Sequence, residues 1–164
     1  MASKIAQTRA ALDRRGVTYE FVEHPAVMTV DEFRLDAAYG KGLILKNLFL
    51  RDDTGTKTFM YSCPSEKRAD LKQLAVVLGV KKLTFGSPEW LFRCTGLTPG
   101  AVSPLGLIFD YGRDVVMVFN EELLGTTERI GVHPGENTAT VFMEFDALTQ
   151  FLREVGASVI FIKA

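Results

Sequence analysis

The sequence predicts an α+β fold with a mixed β-sheet, and three observations support this class. The chain has 164 residues, a length that favours one domain spanning 1–164. Its composition, 47% hydrophobic and 24% charged, is ordinary for a globular protein. Helical patterns interleave irregularly with hairpins, which favours a mixed sheet over a doubly wound parallel one.

The first part of the chain begins with a helix, followed by a strand and a short second helix. Residues 3–15 carry apolar side chains at helical spacing behind a capping serine, and Gly16 ends the helix. Residues 17–22 alternate and are rich in β-forming types, which predicts a strand. A capping box that starts at Thr29 predicts a short helix through about Ala38.

The middle of the chain is predicted to form a hairpin, a helix, a short strand and a second helix. An apolar run over 43–51 predicts a buried strand, the turn at 52–55 is of hairpin type, and 57–63 is the returning strand. Further predicted elements are a helix over 70–78, a strand over 82–85 and a helix that starts at Ser87.

The last part combines two loops with three strands. The predicted elements are a loop over 96–106, a strand over 115–120 with a helical turn over 121–124, a loop over 130–137, a strand over 138–143, a helix over 145–155 and a strand over 159–162.

Charge and composition exclude several classes of protein. Nineteen basic and twenty acidic side chains give a net charge of −1, so no global positive field holds a long DNA duplex. No apolar run approaches the ~20 residues of a membrane span, and the N-terminus lacks an apolar signal-peptide core. We therefore expect a cytoplasmic protein with no membrane and no DNA partner. Cys63 and Cys94 match no metal or redox spacing, and we expect both to be buried.

Lys46 interrupts the most apolar predicted strand and is the most unusual residue of the chain. Burying an unpaired ammonium group is costly. Its side chain therefore either faces solvent, if necessary by extending its aliphatic stem to the surface, or lies at the floor of a cleft facing a phosphate, carboxylate or carbonyl oxygen. The pattern alone leaves both interpretations open.

Two loops rich in glycine and proline are further candidates for a binding site. In the loop over 97–106, Gly100 and Gly106 allow a ligand to approach backbone amides, which could bind a developing oxyanion. The loop over 131–138 contains His133, a candidate general base. Both segments also fit simple connections between elements, and a lone histidine before a proline is more often structural.

Motifs for cofactors and metals are absent from the sequence. It contains no phosphate-binding loop, no dinucleotide fingerprint and no nucleophile elbow, and its two histidines have no spaced carboxylate partner. We therefore expect no cofactor and no metal. Basic residues after the hairpin either contact RNA phosphates or form a solvated helix face. They are Lys67, Arg68, Lys72, Lys81 and Lys82.

Four segments occur in a recognisable order along nearly the whole chain. They are Leu45–Leu50, Lys67–Lys72 with Leu78–Val80, Pro99–Gly106, and Gly131–Pro134 with Asn137–Thr140. Together they resemble the YbaK/prolyl-tRNA-synthetase-associated editing domain family, in particular its free-standing ProX/PrdX-like branch.

The resemblance implies a partly rolled mixed sheet with surrounding helices and one cleft. It also implies hydrolysis of the ester of mischarged tRNA for proline, with alanine as the usual target of this branch and cysteine as the alternative. The acceptor end of mischarged tRNA is then the expected partner, and prolyl-tRNA synthetase is a second candidate. A module that binds tRNA ends without catalysis is the alternative from another class.

The family's functional lysine corresponds to Lys46, which we expect to orient the ester while loop amides bind the oxyanion. An aminoacyl ester is already activated, so water helped by the neighbouring ribose hydroxyl suffices as nucleophile. The residues expected to contact or enclose the substrate are Asn47, Gly100, Ala101, Val102, Ser103, Gly131, His133 and Thr138. Apolar walls are expected from Val27, Met28 and Leu45.

Overall fold

Eight strands form one mixed sheet in the computed structural model, which describes residues 2–34 and 36–164. The strands are β1 (Glu20–Glu23), β2 (Leu43–Asp52), β3 (Thr58–Pro64), β4 (Leu83–Phe85), β5 (Val115–Asn120), β6 (Ile130–Val132), β7 (Ala139–Met143) and β8 (Ser158–Ile162). The α-helices are α1 (Lys4–Arg14), α2 (Val30–Phe33), α3 (Leu71–Leu78), α4 (Pro88–Thr95) and α5 (Phe145–Glu154). Short 3-10 helices cover Ala37–Lys41, Pro99–Ala101, Pro104–Phe109 and Glu121–Leu123.

The strand order is β1-β7-β6-β2-β3-β5-β8, with β4 paired to β2. The pairs β1–β7, β7–β6, β2–β3 and β2–β4 are antiparallel, whereas β6–β2, β3–β5 and β5–β8 are parallel. Within the described residues the two end strands do not pair, so the sheet stays open. The predicted α+β class with a mixed sheet flanked by helices is confirmed.

Strand β2 changes its partner along one edge. Its other edge is paired with β3 from Leu45 to Arg51. On the changing edge, Leu43 and Ile44 pair with β6, and the last residues, from Leu50 onward, pair with β4. Between these two pairings the described chain places no strand beside residues 45–49. The sheet therefore has an internal gap at its longest strand.

The sheet buries apolar side chains on both faces. On one face, α1, α4, α5 and the 3-10 helix at Pro104–Phe109 cover the larger core, whose buried members include Leu12, Leu91, Leu105, Met117 and Leu148. On the other face, α3 covers a smaller core that includes Leu50, Tyr61, Leu74, Leu83 and Val118. The alternation of side chains along each strand sends neighbouring residues to these two cores.

The predicted helix caps are present. Ser3 Oγ accepts from the Ala6 amide, Ser87 Oγ accepts from the Trp90 amide, and each distance is 3.1 Å. Thr29 Oγ1 accepts from the Glu32 amide at 3.1 Å, as the capping box requires. These bonds satisfy amides that have no partner inside their helices, which is why the sequence located the helix starts so well.

The largest differences from the sequence prediction concern the first strand, the second helix and the two loops. The first strand begins at Glu20 rather than at Val17. The helix that starts after Thr29 ends at Phe33, and a separate 3-10 helix follows; residue 35, which the predicted helix included, lies outside the described residues. Both predicted loops contain regular structure, because the first holds the 3-10 helix Pro99–Ala101 and the start of the next one, and the second begins with β6.

Candidate active site

A cavity of about 250 Å³ opens beside the gap in the sheet. Its floor is formed by residues Ile44 to Asn47 of β2. One wall comes from side chains between Val27 and Phe33, and another from Pro99, Gly100 and Val102. The remaining lining residues are Gly131, Val132, His133 and Thr140. The gap in strand pairing thus leaves room for a cleft in the middle of the sheet.

Lys46 lies half-buried at this floor. Its ammonium group donates a hydrogen bond to the backbone carbonyl of Lys67, which is its one hydrogen-bond partner among the described residues. An ammonium group has three N–H donors, so further donors remain for a ligand. Of the two interpretations that the sequence allowed, the structure favours a cation held beside a cleft over one in bulk solvent.

Asn47 connects the floor of the cleft to the facing loop. Its Oδ1 accepts from the Ser62 hydroxyl on β3, and its Nδ2 donates to the Val102 carbonyl at 3.3 Å. The side chain is therefore already engaged on both of its polar atoms, and it fixes the distance between β2 and the loop.

The loop itself divides into cavity-lining and buried residues. Gly100 and Val102 line the cleft, whereas Ala101 is only 3% exposed and does not line it. The Ala101 amide donates to the Thr98 carbonyl at 2.9 Å. The 3-10 helix Pro99–Ala101 directs the amides of Ala101 and Val102 toward preceding carbonyls, whereas the Gly100 amide has no backbone acceptor among the described residues. The Gly100 amide is therefore the candidate oxyanion donor of the loop.

Ser103 lies away from the cleft, contrary to expectation. It is fully buried, and its hydroxyl accepts from the Leu105 amide at 3.2 Å, which caps the 3-10 helix that follows. The Ser103 hydroxyl points into the protein because it makes this local capping bond, which competes with a contact to a ligand.

Gly100 has a steric reason to lack a side chain. A Cβ atom built on Gly100 would lie 2.7 Å from Met28 Sδ and 3.2 Å from Asn137 Nδ2. Asn137 Nδ2 in turn donates to the Val27 carbonyl at 2.7 Å. The two walls of the cleft therefore approach each other closely at this point. The expected apolar walls Val27, Met28 and Leu45 all belong to the cavity lining.

His133 forms the end of the cleft beside β7. Its Nδ1 donates to the Ala139 carbonyl at 2.7 Å, which leaves Nε2 without a proton in the neutral ring. Burial lowers the pKa of His133, and the nearby ring of His24 lowers it further, although the bond to Ala139 acts in the opposite direction. His133 is therefore neutral near pH 7.

A second histidine, His24, packs next to the first. The ring centroids of His24 and His133 are 5.9 Å apart, and Phe33 packs edge-on against His24 at 4.8 Å. His24 Nε2 lies 2.8 Å from Thr140 Oγ1. Thr140 lines the cleft, whereas the expected Thr138 is exposed and does not. Both threonines belong to the same segment, and the sequence could not show at which of them the cleft ends.

Several charged groups lie near Lys46. Glu66 accepts hydrogen bonds from the Tyr39 hydroxyl, at 3.0 Å, and from the Arg34 guanidinium. The bond from Tyr39, the Arg34 guanidinium and the ammonium of Lys46 hold the pKa of Glu66 below its usual range. Lys67 Nζ lies 2.8 Å from Glu122 Oε1. Arg34 and Lys67, the basic residues of this group, are thus paired with carboxylates.

Metal-binding clusters and membrane spans are not found in the described chain. No group of three or more metal-binding side chains occurs in 2–34 and 36–164. None of the helices described there is long and apolar enough to span a bilayer. Both cysteines are buried and free, as expected.

Comparison with known protein families matches residues 24–151 to the aminoacyl-tRNA editing domain. The chain belongs to this family. The matched region includes every residue that lines the cleft.

Individual members of the family are similar over most of their length. The prolyl-tRNA editing protein ProX of Acetoanaerobium sticklandii is 35% identical over 147 residues, which cover 90% of this chain and 89% of that protein. The prolyl-tRNA synthetase associated domain-containing protein 1 of Bos taurus is 32% identical over 158 residues and 92% of both chains.

Solved structures show the same fold. A crystal structure described as that of a proposed trans-editing enzyme for prolyl tRNA synthetase superimposes with a TM-score of 0.75 over 100% of this chain and 99% of its own, at 23% identity. The crystal structure of the hypothetical protein APE2540 gives a TM-score of 0.72 over 96% and 97% of the two chains, at 19% identity.

Proposed function

We propose that the protein is a trans-editing aminoacyl-tRNA deacylase that hydrolyses the ester of alanine wrongly attached to tRNA for proline. The observation that carries the proposal is the ammonium group of Lys46, half-buried at the floor of a cleft whose facing loop presents the Gly100 amide, which has no backbone acceptor among the described residues. Membership of the editing domain family and the names of the similar proteins support an editing activity on tRNA for proline.

The reaction is the attack of water on the ester carbonyl carbon. A tetrahedral oxyanion forms, the bond to the ribose oxygen breaks, and that oxygen takes a proton, which releases alanine and a free ribose hydroxyl. In the proposed site, Lys46 orients the acyl-ribose end and the amide of Gly100 binds the oxyanion. The neutral ring of His133 and the apolar side chains of Val27 and Met28 enclose the amino acid.

Selectivity follows from the size of the cleft. A synthetase pocket built for proline rejects the smaller alanine weakly, because each missing methylene changes binding by only ~1–3 kcal/mol. A separate editing pocket that admits alanine and excludes the proline ring adds a second step of discrimination. Close approach between Gly100 and Met28 narrows the proposed acyl pocket at one wall.

The test is a deacylation assay on tRNA for proline charged with alanine, cysteine or proline. We expect hydrolysis of the alanyl ester and little of the prolyl ester. Lys46→Ala should lower kcat/KM for the alanyl ester by about a hundredfold, the effect typical of losing one transition-state donor. Lys57→Ala is the matched control, since this exposed lysine lies in the β2–β3 turn and lines no part of the cleft.

Other outcomes would point to the alternatives. Faster hydrolysis of the cysteinyl ester than of the alanyl ester would show that the enzyme is specific for cysteine instead. Binding of tRNA by the wild type without any turnover would support a non-catalytic module. Prolyl-tRNA synthetase is the proposed partner that supplies the mischarged tRNA, and its addition to the assay tests whether it must be present.

A further inference from the structure

A second cavity lies next to the candidate active site, and nothing in the proposed reaction uses it. It has a volume of about 290 Å³ and adjoins the first cavity through three residues that line both, Asn47, Pro99 and Val102. Its other lining residues come from β2 and from the end of β4 and the start of α4, and most of them are apolar. The two cavities therefore lie side by side along the unpaired edge of β2, with these three residues between them.

Phe85 is the exposed aromatic residue of this second cavity. Its side chain is 64% exposed although it ends a strand of the central sheet. Phe85 pairs with Leu50 on β2, so its side chain shares a face with Leu50, Leu48 and Lys46. Four steps along β2 separate Lys46 from Leu50, a distance of about 13 Å.

The position of Phe85 is held by the surrounding backbone. The Gly86 amide donates to the Phe49 carbonyl at 2.9 Å. A Cβ atom on Gly86 would lie 2.5 Å from the ring of Phe49, so the chain packs directly on that ring. An exposed ring on a fixed backbone is a surface on which a flat ligand can stack.

We propose that this second cavity binds the terminal adenine base of the acceptor end, stacked on Phe85. The inference rests on the proposed function, because it assumes that the ester lies beside Lys46. The ribose would then lie at Asn47, Pro99 and Val102, where the cavities join, and the nearest base to the ester would enter the second cavity. Aromatic side chains bind unpaired bases in this way, and the apolar lining suits the faces of the ring.

Charge on the adjoining segment agrees with a nucleotide. Two exposed lysines, Lys81 and Lys82, directly precede β4, and both can attract the phosphates that follow the terminal nucleoside. A protein partner would not require cations beside the ring or a cavity that adjoins the catalytic cleft.

The experiment uses alanyl esters of an acceptor-stem minihelix with two kinds of 3′ end, an ordinary adenosine or a ribose without a base. Phe85→Ala should lower kcat/KM about tenfold on the adenosine end and leave it unchanged on the baseless end, since stacking is the interaction removed. Phe85→Trp should retain activity. Phe92→Ala is the matched control, because Phe92 is 63% exposed on α4 and lines neither cavity.

The two proposals fail in different ways. If Phe85→Ala lowers kcat/KM equally on both 3′ ends, or on neither, the proposal of a base-binding cavity is wrong. Hydrolysis of the alanyl ester by the wild type would still support the deacylase proposal in that case. If the wild type hydrolyses neither ester, the deacylase proposal fails, and anisotropy with uncharged minihelices then measures the base contact. A binding loss for Phe85→Ala that depends on adenine upholds the cavity, and a binding constant independent of the base rejects it.

Discussion

Lys46 illustrates what one sequence position can and cannot reveal. A lysine inside an apolar strand is costly to bury, and this cost makes the residue stand out in the sequence alone. The sequence could not show whether its side chain meets solvent or a cleft, because that depends on which edge of β2 is left unpaired. Its acceptor, the Lys67 carbonyl, is 21 positions away in the chain.

At the same scale, burial of His133 predicts a pH dependence of stability. Its folded pKa is lowered, so the unfolded chain binds more protons as the pH falls below the ordinary value of 6.5. The contribution of the neutral ring is therefore complete above that pH and is lost as the pH falls through the lowered pKa. We expect wild type to lose more free energy of unfolding than His133→Asn between pH 7 and pH 5.

Urea denaturation of both proteins at the two pH values measures this difference. Parallel losses in the two proteins would mean that the ring of His133 is protonated as easily in the folded as in the unfolded chain.

At the scale of elements, the sequence predicted helices with side-chain caps and missed short irregular ones. Pro99–Ala101 and Pro104–Phe109 form 3-10 helices in a stretch whose proline and glycine content predicts a loop. Strand β6 was missed because it has three residues and a central Gly131. Such elements depend on neighbours: β6 exists because β2 and β7 pair with its two edges.

The buried Ser103 hydroxyl gives a prediction for one of these elements. Ser103→Ala removes the acceptor of the Leu105 amide, so the free energy of unfolding should fall by about 1–3 kcal/mol. Because the side chain lies outside the cleft, KM for the alanyl ester should not change at a temperature where the variant is folded. A raised KM with unchanged stability would instead return Ser103 to the binding site.

At the scale of the whole molecule, the parallel pairing of β2 with β6 joins two parts of the sheet through only Leu43 and Ile44. Gly42 precedes this junction, and a Cβ there would lie 2.6 Å from the Arg129 carbonyl oxygen. That oxygen accepts the Leu43 amide at 2.7 Å, so it cannot move without breaking the junction.

Gly42→Ala should therefore lower the free energy of unfolding by about 1–3 kcal/mol, the usual cost of overpacking. Gly40→Ala is the control, since a Cβ on Gly40 meets nothing within 4 Å. Urea denaturation of both variants measures the difference. Equal stabilities would show that the junction adapts to the added methyl group.

The fold class and many of the candidate site positions could be predicted from sequence, and the remainder required long-range geometry. Lys46, Asn47, Gly100 and His133 line the cleft. Lys46, Gly100 and His133 could be selected because each interrupts or ends a local pattern in the sequence, and Asn47 was expected from the family resemblance. Thr140 gives no such signal, since a threonine in a strand is ordinary. The second cavity could not be predicted from the sequence either, because its lining residues come from three separate stretches of the chain.

The division of the cleft between β2 and its surrounding loops has a consequence for protein engineering. The cation sits on the strand, whereas the walls near Met28 and Gly100 belong to stretches outside any strand. A redesign can therefore graft new wall segments and select for a different acyl group while the anchor and the sheet register stay in place. Mutant libraries restricted to residues 27–30 and 99–102 would vary the shape of the cleft and leave its cation, Lys46, unchanged.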